Sequence, residues 1–185
     1  MNFIDRSANS LAKVIYSHYP EGASETVLRY SLTLLINTVT SVSFVIIFSF
    51  FTNHLLEAIC VIAFYTILRF FSGGMHMPTS LACSIASILT FIIVTHIDYN
   101  FQPFGLLLTI VSALILLKTA PNNMENSSSV NPKYYPHLKV ISVLIVLSNL
   151  YFHSSFLASA ALAQALLTTK IAYKFSDYIE GRTNA

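Results

Sequence analysis

The chain has 185 residues, of which 55% are hydrophobic and only 10% charged. A soluble domain averages roughly 25% charged residues, so this composition excludes an ordinary soluble globule and points to a chain embedded in a bilayer. A net charge of +2 gives no electrostatic footprint for nucleic acid. The two cysteines, Cys60 and Cys83, make no disulfide framework and lack the Cys/His spacing of a zinc site, so neither a metal nor a cofactor is expected.

Residues 1–20 are not a secretory signal, because Asp5, Arg6 and Lys13 interrupt any apolar core. Phe3, Ile4, Leu11, Val14 and Ile15 instead fall near one helical face, with Arg6, Asn9, Ser10, Lys13 and Ser17 elsewhere. That pattern predicts an amphipathic helix, lying either in the membrane interface or as a cap on the protein's own inner face. Six segments then approach the ~20 residues that cross a hydrocarbon core. They run over 27–51, 54–71, 79–97, 101–118, 138–157 and 158–178, with a polar loop over 119–137. The expected architecture is all-α: one integral-membrane domain over 1–185, a polytopic helical bundle.

The cations distribute one-sidedly. Arg6, Lys13 and Arg29 precede or open the first span, and Arg69 ends the second. Lys118, Lys133 and Lys139 flank the long loop, and Lys170, Lys174 and Arg182 close the chain. The connections near 52–53, 96–101 and 152–158 carry neither Lys nor Arg. Every second connection is basic, which by the positive-inside rule puts both termini, the 69–78 turn and the 119–137 loop in the cytoplasm.

Polar groups at membrane depth are costly and therefore informative. His54 and Glu57 read as interfacial residues at the outer start of the second span. His96, Asp98 and His153 are expected to face water on the same side. Gln164, Thr168 and Thr169 are placed to hydrogen-bond between helices, and Cys60, mid-span with no His or acid beside it, reads as a small buried apolar residue.

The stretch RFFSGGMHMPTSLAC, Arg69 to Cys83, is different. Gly73 and Gly74 permit backbone angles that other residues avoid, and Pro78 suits the first position of a following helix. In one straight helix, His76 and Cys83 would lie ~10.5 Å apart along the axis. A turn at the glycines and Pro78 lets His76 fold back toward the Cys83 sulfur. A cysteine near a helix N-terminus and next to histidine is a usable nucleophile, and Arg69 would hold a carboxylate or a developing oxyanion. The residues alone leave open a plain Gly-Gly turn with an unrelated His and a small core Cys.

The same residues carry a resemblance. Arg69, then Gly73-Gly74-Met75-His76, then Cys83 seven residues after the histidine resembles the accessory gene regulator protein B (AgrB) family of bacterial membrane endopeptidases. Ala120-Pro121 and Asn131-Pro132-Lys133 are a looser match to that family's proline elements, and Glu25 matches its acid before the first span. The resemblance implies Cys83 as nucleophile and His76 as general base, with Arg69, Gly73, Gly74 and Glu25 in support. It implies a short amphipathic propeptide of the AgrD type as substrate. The C-terminal tail is cleaved through an acyl-enzyme thioester, and the peptide is cyclised to a thiolactone or lactone autoinducer. It further implies a multi-pass protein of the bacterial cell membrane, its active site facing the cytoplasm, and a homodimer. No acid follows His76 closely; Glu25 and Glu125 are the acids expected on the same face, Glu25 first. The competing function is a non-catalytic small transporter or peptide permease, which would move a peptide without cutting it.

Overall fold

The computed structural model describes residues 3–75, 77, 79–122 and 131–179. Its elements are α1 (Phe3–His18), α2 (Glu25–Phe51), α3 (Leu55–Ser72) and α4 (Ser80–Thr95), then a π turn (Phe101–Gly105) that runs into α5 (Leu106–Thr119). A 3-10 turn (Pro132–Tyr134) opens α6 (Tyr135–Leu147), followed by α7 (Asn149–Phe152), α8 (Ser155–Leu167) and α9 (Lys170–Ile179). The described chain is all-helical apart from an isolated parallel bridge between Gly73 and Asn122.

Among the described residues, four stretches are long and apolar enough to cross a membrane: Glu25–Phe51, Leu55–Ser72, Phe101–Thr119 and Pro132–Phe152. They match four of the six expected spans, and the other two differ. α4 has 16 residues, a length of ~24 Å against a hydrocarbon core of ~30 Å. The expected straight span over 158–178 is instead a bent pair, α8 and α9, meeting at 67° and supplying at most a fifth crossing. The bend has a local cause. The N–H groups of Thr168 and Thr169 bond three residues back, to Ala165 and Leu166 at 3.1 and 3.0 Å, which tightens the last turn of α8. Beyond it Lys170, Lys174 and Asp177 make the next helix amphipathic. The fifth span also starts earlier than the 138 expected. Asn131 accepts the Lys133 N–H at 3.0 Å as a cap, and Pro132 stands at the first helical position, where its missing N–H costs nothing.

Large apolar side chains point outward, among them Phe44, Ile47 and Phe50 on α2 and Leu107, Leu114 and Leu117 on α5. The interior is built from small residues. α8 is the central helix: Leu157 to Ala161, Gln164 and Ala165 are all buried, and its alanines let α3 and α5 approach closely. One core cluster joins Val45, Val61, Tyr65, Phe91 and Val94 to Ala160; a second joins Leu68, Leu116 and Val146 to Ala161 and Ala165.

The N-terminal helix packs on the bundle by one face and keeps apolar side chains exposed on another. Ile4, Ala8 and Ala12 are buried, and α1 packs on α2 and α4, while Phe3, Leu11 and Val14 remain exposed beside them. α9 repeats this plan, with Ile171, Phe175 and Tyr178 exposed and Ser176 buried. On the opposite side of the bundle, His96 is half-buried and does not simply face water. Its Nδ1 lies 2.8 Å from the Ile92 carbonyl, its Nε2 2.9 Å from the Thr52 hydroxyl, and its ring 4.5 Å from that of His54.

Candidate functional site

The Gly-Gly turn is pinned from three sides. Gly73 (φ 66°) and Gly74 (φ 126°) take positive φ, which side chains resist. A Cβ on Gly73 would run into the Asn122 carbonyl, and one on Gly74 would press on the Leu167 carbonyl at 3.3 Å. The close approach is used for hydrogen bonding. The Asn122 N–H donates to the Ser72 carbonyl and the Gly74 N–H to the Asn122 carbonyl, both at 3.0 Å. The Met75 N–H donates to the Leu167 carbonyl at 3.0 Å. The glycines therefore do more than reverse the chain: they dock it on the segment after α5 and on the end of α8.

Gln164 stands at the centre of this hub, fully buried. Its Nε2 donates to the Ser72 hydroxyl (2.8 Å) and the Gly73 carbonyl (2.7 Å), and its Oε1 accepts from Arg69 Nη1 at 3.2 Å. Arg69 Nη2 donates to the Met75 carbonyl at 2.6 Å. Arg69 thus meets neutral oxygens among the described residues. Its bonds fix the backbone immediately before residue 76. Asn122 closes the assembly, with its Nδ2 donating to the Thr168 carbonyl at 2.6 Å and its Oδ1 accepting from the Tyr173 hydroxyl at 3.1 Å. Of these residues, Arg69, the glycines, Gln164 and Thr168 stand out in the sequence. Gln164 had the signal of an amide in an apolar helix; Asn122 and Tyr173 had none.

Cys83 sits in the first turn of α4. Thr79 is the cap: its hydroxyl accepts from the Ala82 N–H at 3.2 Å and its carbonyl from the Cys83 N–H at 3.0 Å. The helix starts at Ser80, after the proline and not at it, which leaves Cys83 its fourth residue. His76 and Pro78 lie outside the described residues, as does Glu125. Cys60 and Cys83 are both free thiols, Cys83 half-buried and Cys60 exposed on α3 and not buried as expected, because it lies on the outward face of that helix.

Cys83 opens onto two cavities. One, of about 430 Å³, lies between α2, α3 and α4 and is walled by Tyr65, Arg69, Met75 and Phe91 among others. The other, of about 300 Å³, lies under α1 and is walled by Asp5, Tyr30, Thr79 and Ser80. Asp5 accepts a 2.5 Å hydrogen bond from the Ser80 hydroxyl. Glu25, in the first turn of α2, lines neither cavity. Among the described residues, the acid that lines a cavity with Cys83 is therefore Asp5, from the helix whose place against the bundle the sequence left open.

Apolar spans, a half-buried thiol at the head of a short helix and a glycine turn held by an arginine and a buried amide define a polytopic helical membrane protein with a built polar centre at one end. The family model described as Accessory gene regulator B matches residues 5–176. The chain belongs to that family. It is 32% identical over 97 residues to the accessory gene regulator protein B of Staphylococcus intermedius, an alignment covering 50% of this chain and 50% of that protein. The chain thus spans about half the length of the curated relative it matches. No solved structure matches.

Proposed function

We propose that this protein is a membrane-embedded cysteine endopeptidase and cyclase acting on a short AgrD-type propeptide in accessory gene regulator quorum sensing. The observation that carries the reading is the placement of Cys83. It is a half-buried thiol in the first turn of α4, open to cavities on two sides, beside a loop whose backbone is tied down through Met75. That loop leads directly into His76.

In this reading His76 takes the Cys83 proton as the sulfur attacks the scissile carbonyl. The tetrahedral intermediate collapses with breakage of the C–N bond. The departing amine of the C-terminal tail takes the proton back from His76, and the N-terminal part of the peptide remains as a thioester on Cys83. An internal Cys thiol or Ser hydroxyl of the peptide then attacks that carbonyl. The C–S bond to Cys83 breaks, the proton returns to Cys83, and a thiolactone or lactone leaves. Cyclisation needs water kept from the thioester, and apolar walls between three helices serve that need. Arg69 and Gln164 act as positioning residues for the loop, and Asp5 takes the role of the acid beside the site. The one-sided cations put this end of the bundle in the cytoplasm, where a newly made propeptide would meet it.

The test is cleavage of the propeptide by the full chain in proteoliposomes, followed by mass spectrometry. Cys83→Ala and His76→Ala each abolish release of the tail while the protein stays membrane-inserted. Cleavage by Cys83→Ala, or transport of the intact peptide with no cleavage, overturns the proposal.

A further inference from the structure

The larger of the two cavities carries more than a lining. Its wall on α2 includes Asn37 and Ser41, one helical turn apart, set among Leu34, Val42, Phe91 and Leu167. Ser41 is 3% exposed, and its hydroxyl has no hydrogen-bond partner. That state is unusual for a serine in a helix, which can return its hydroxyl to the carbonyl one turn back. Thr33, Thr109 and Ser142 do so here, with Arg29, Gly105 and Leu138. Ser49 and Thr95 are also unpartnered, but neither lines this cavity. Asn37 uses its Oδ1 to accept from the Ser84 hydroxyl, and its Nδ2 has no partner among the described residues. Among the described residues the buried Ser41 hydroxyl thus lacks a partner, and the Asn37 amide N–H groups one turn away, on a residue that also borders the smaller cavity, are available beside it, a situation that favours a ligand able to meet both.

Their spacing limits what that ligand is. Residues i and i+4 of a helix are ~6 Å apart along its axis. An extended peptide presents backbone groups on one edge every second residue, ~6.6–6.8 Å apart. The volume of about 430 Å³ falls within the usual range for a ligand pocket. Cys83 stands at its mouth, with Arg69 and Met77 beside it.

We infer that this chamber is the acyl-side subsite: it seats an extended, apolar segment of two or three residues immediately N-terminal to the cleaved bond. Asn37 Nδ2 and the Ser41 hydroxyl hold its backbone, and Leu34, Val42 and Phe91 take its side chains. The inference rests on Cys83 as the acylated residue, and it names what that residue is acylated with. The cavity under α1, which carries Asp5, is left open as a second way to the sulfur.

The test uses the full chain in proteoliposomes and does not depend on turnover. Cys83 is alkylated with iodoacetamide or with acetyl-Phe-Val-Leu chloromethyl ketone. In the latter the sulfur displaces chloride, forming a C–S bond as the C–Cl bond breaks. Cys60→Ala serves as background, so that a single thiol reports. The rate of the peptidyl reagent relative to iodoacetamide should fall at least tenfold in Ser41→Phe, which fills the chamber, and about threefold or more in Ser41→Ala, which removes only the hydroxyl. Iodoacetamide should still react in both, by way of the cavity under α1. The triply acidic acetyl-Asp-Asp-Asp reagent should show no preference over iodoacetamide. An unchanged ratio in both Ser41 variants overturns the subsite. So does a decyl methanethiosulfonate that is preferred as strongly as the peptide and lost in parallel, which would make the chamber a seat for lipid chains. Failure of the endopeptidase reading would appear separately, as absence of propeptide cleavage with the labelling pattern intact.

Discussion

Replacing Gln164 by leucine roughly keeps the side-chain volume at a central α8 position but removes three hydrogen bonds. Two are given to the Ser72 hydroxyl and the Gly73 carbonyl, and one is received from the Arg69 guanidinium. Interhelical hydrogen bonds in membranes average about 0.6 kcal/mol each, which sets a floor near 2 kcal/mol. Counting about 1 kcal/mol for each neutral bond and about 2 for the one from the cation gives about 4 kcal/mol. At 1.4 kcal/mol per decade, docking of the glycine turn weakens by roughly 30- to 1000-fold. The assay is steady-state cleavage of the propeptide in proteoliposomes, with Cys83 alkylation by iodoacetamide as a control for access. Because Gln164 does not line either cavity at Cys83, the expected result is a fall in kcat of at least tenfold with KM changed less than threefold and alkylation still proceeding. Gln164→Glu keeps an acceptor for Arg69 but faces the Gly73 carbonyl with another acceptor, so it should lose most of kcat as well. Wild-type kcat in Gln164→Leu would refute the claim that the hub positions the loop. A loss matched by unfolding in detergent would assign Gln164 to the fold alone.

Three further outcomes are expected. Gly73→Ala places a Cβ against the Asn122 carbonyl at a φ that costs about 1–3 kcal/mol for an alanine, so cleavage should fall at least tenfold in the same assay. Cys60→Ala should leave cleavage within twofold of wild type, because that thiol is exposed on α3 and lines neither cavity; a large loss would indicate a two-cysteine mechanism. The chain contains no tryptophan, so Phe175→Trp and Val14→Trp are single reporters for the exposed stripes of α9 and α1. Both should be quenched by lipids brominated close to the headgroup more than at the chain terminus, and emission typical of water would place these helices off the membrane.

The sequence revealed the membrane class and four of the crossings because hydropathy over 18 or more residues is a long-range, additive signal. It did not reveal the bend between α8 and α9, since a window average over 158–178 cannot register two threonines whose bonds tighten one turn. The glycine turn was legible from Gly73 and Gly74 themselves. Its reason was not, because Asn122 and Leu167 lie far along the chain and meet it only through the fold. Arg69 is legible as a costly cation at the end of a span, but its partners Gln164 and the Met75 carbonyl are not, because Gln164 lies 95 residues away and the carbonyl is reached only through the turn. Asp5 carried no signal as an acid near the site, because its place depends on α1 packing on α2 and α4, which brings it to Ser80. Amphipathic periodicity shows that a helix has a face, not which neighbour that face meets.

The central claim is that Cys83 forms an acyl-enzyme with the N-terminal part of the propeptide. The most direct test is intact-protein mass spectrometry of the full chain, quenched in acid during turnover, followed by mapping of the adduct. The account predicts an added mass equal to the propeptide without its C-terminal tail, located on the peptide containing Cys83, released by hydroxylamine, and absent from Cys83→Ala. Tail release with no thioester at any stage in wild-type protein, or an adduct mapped to Cys60, would contradict it.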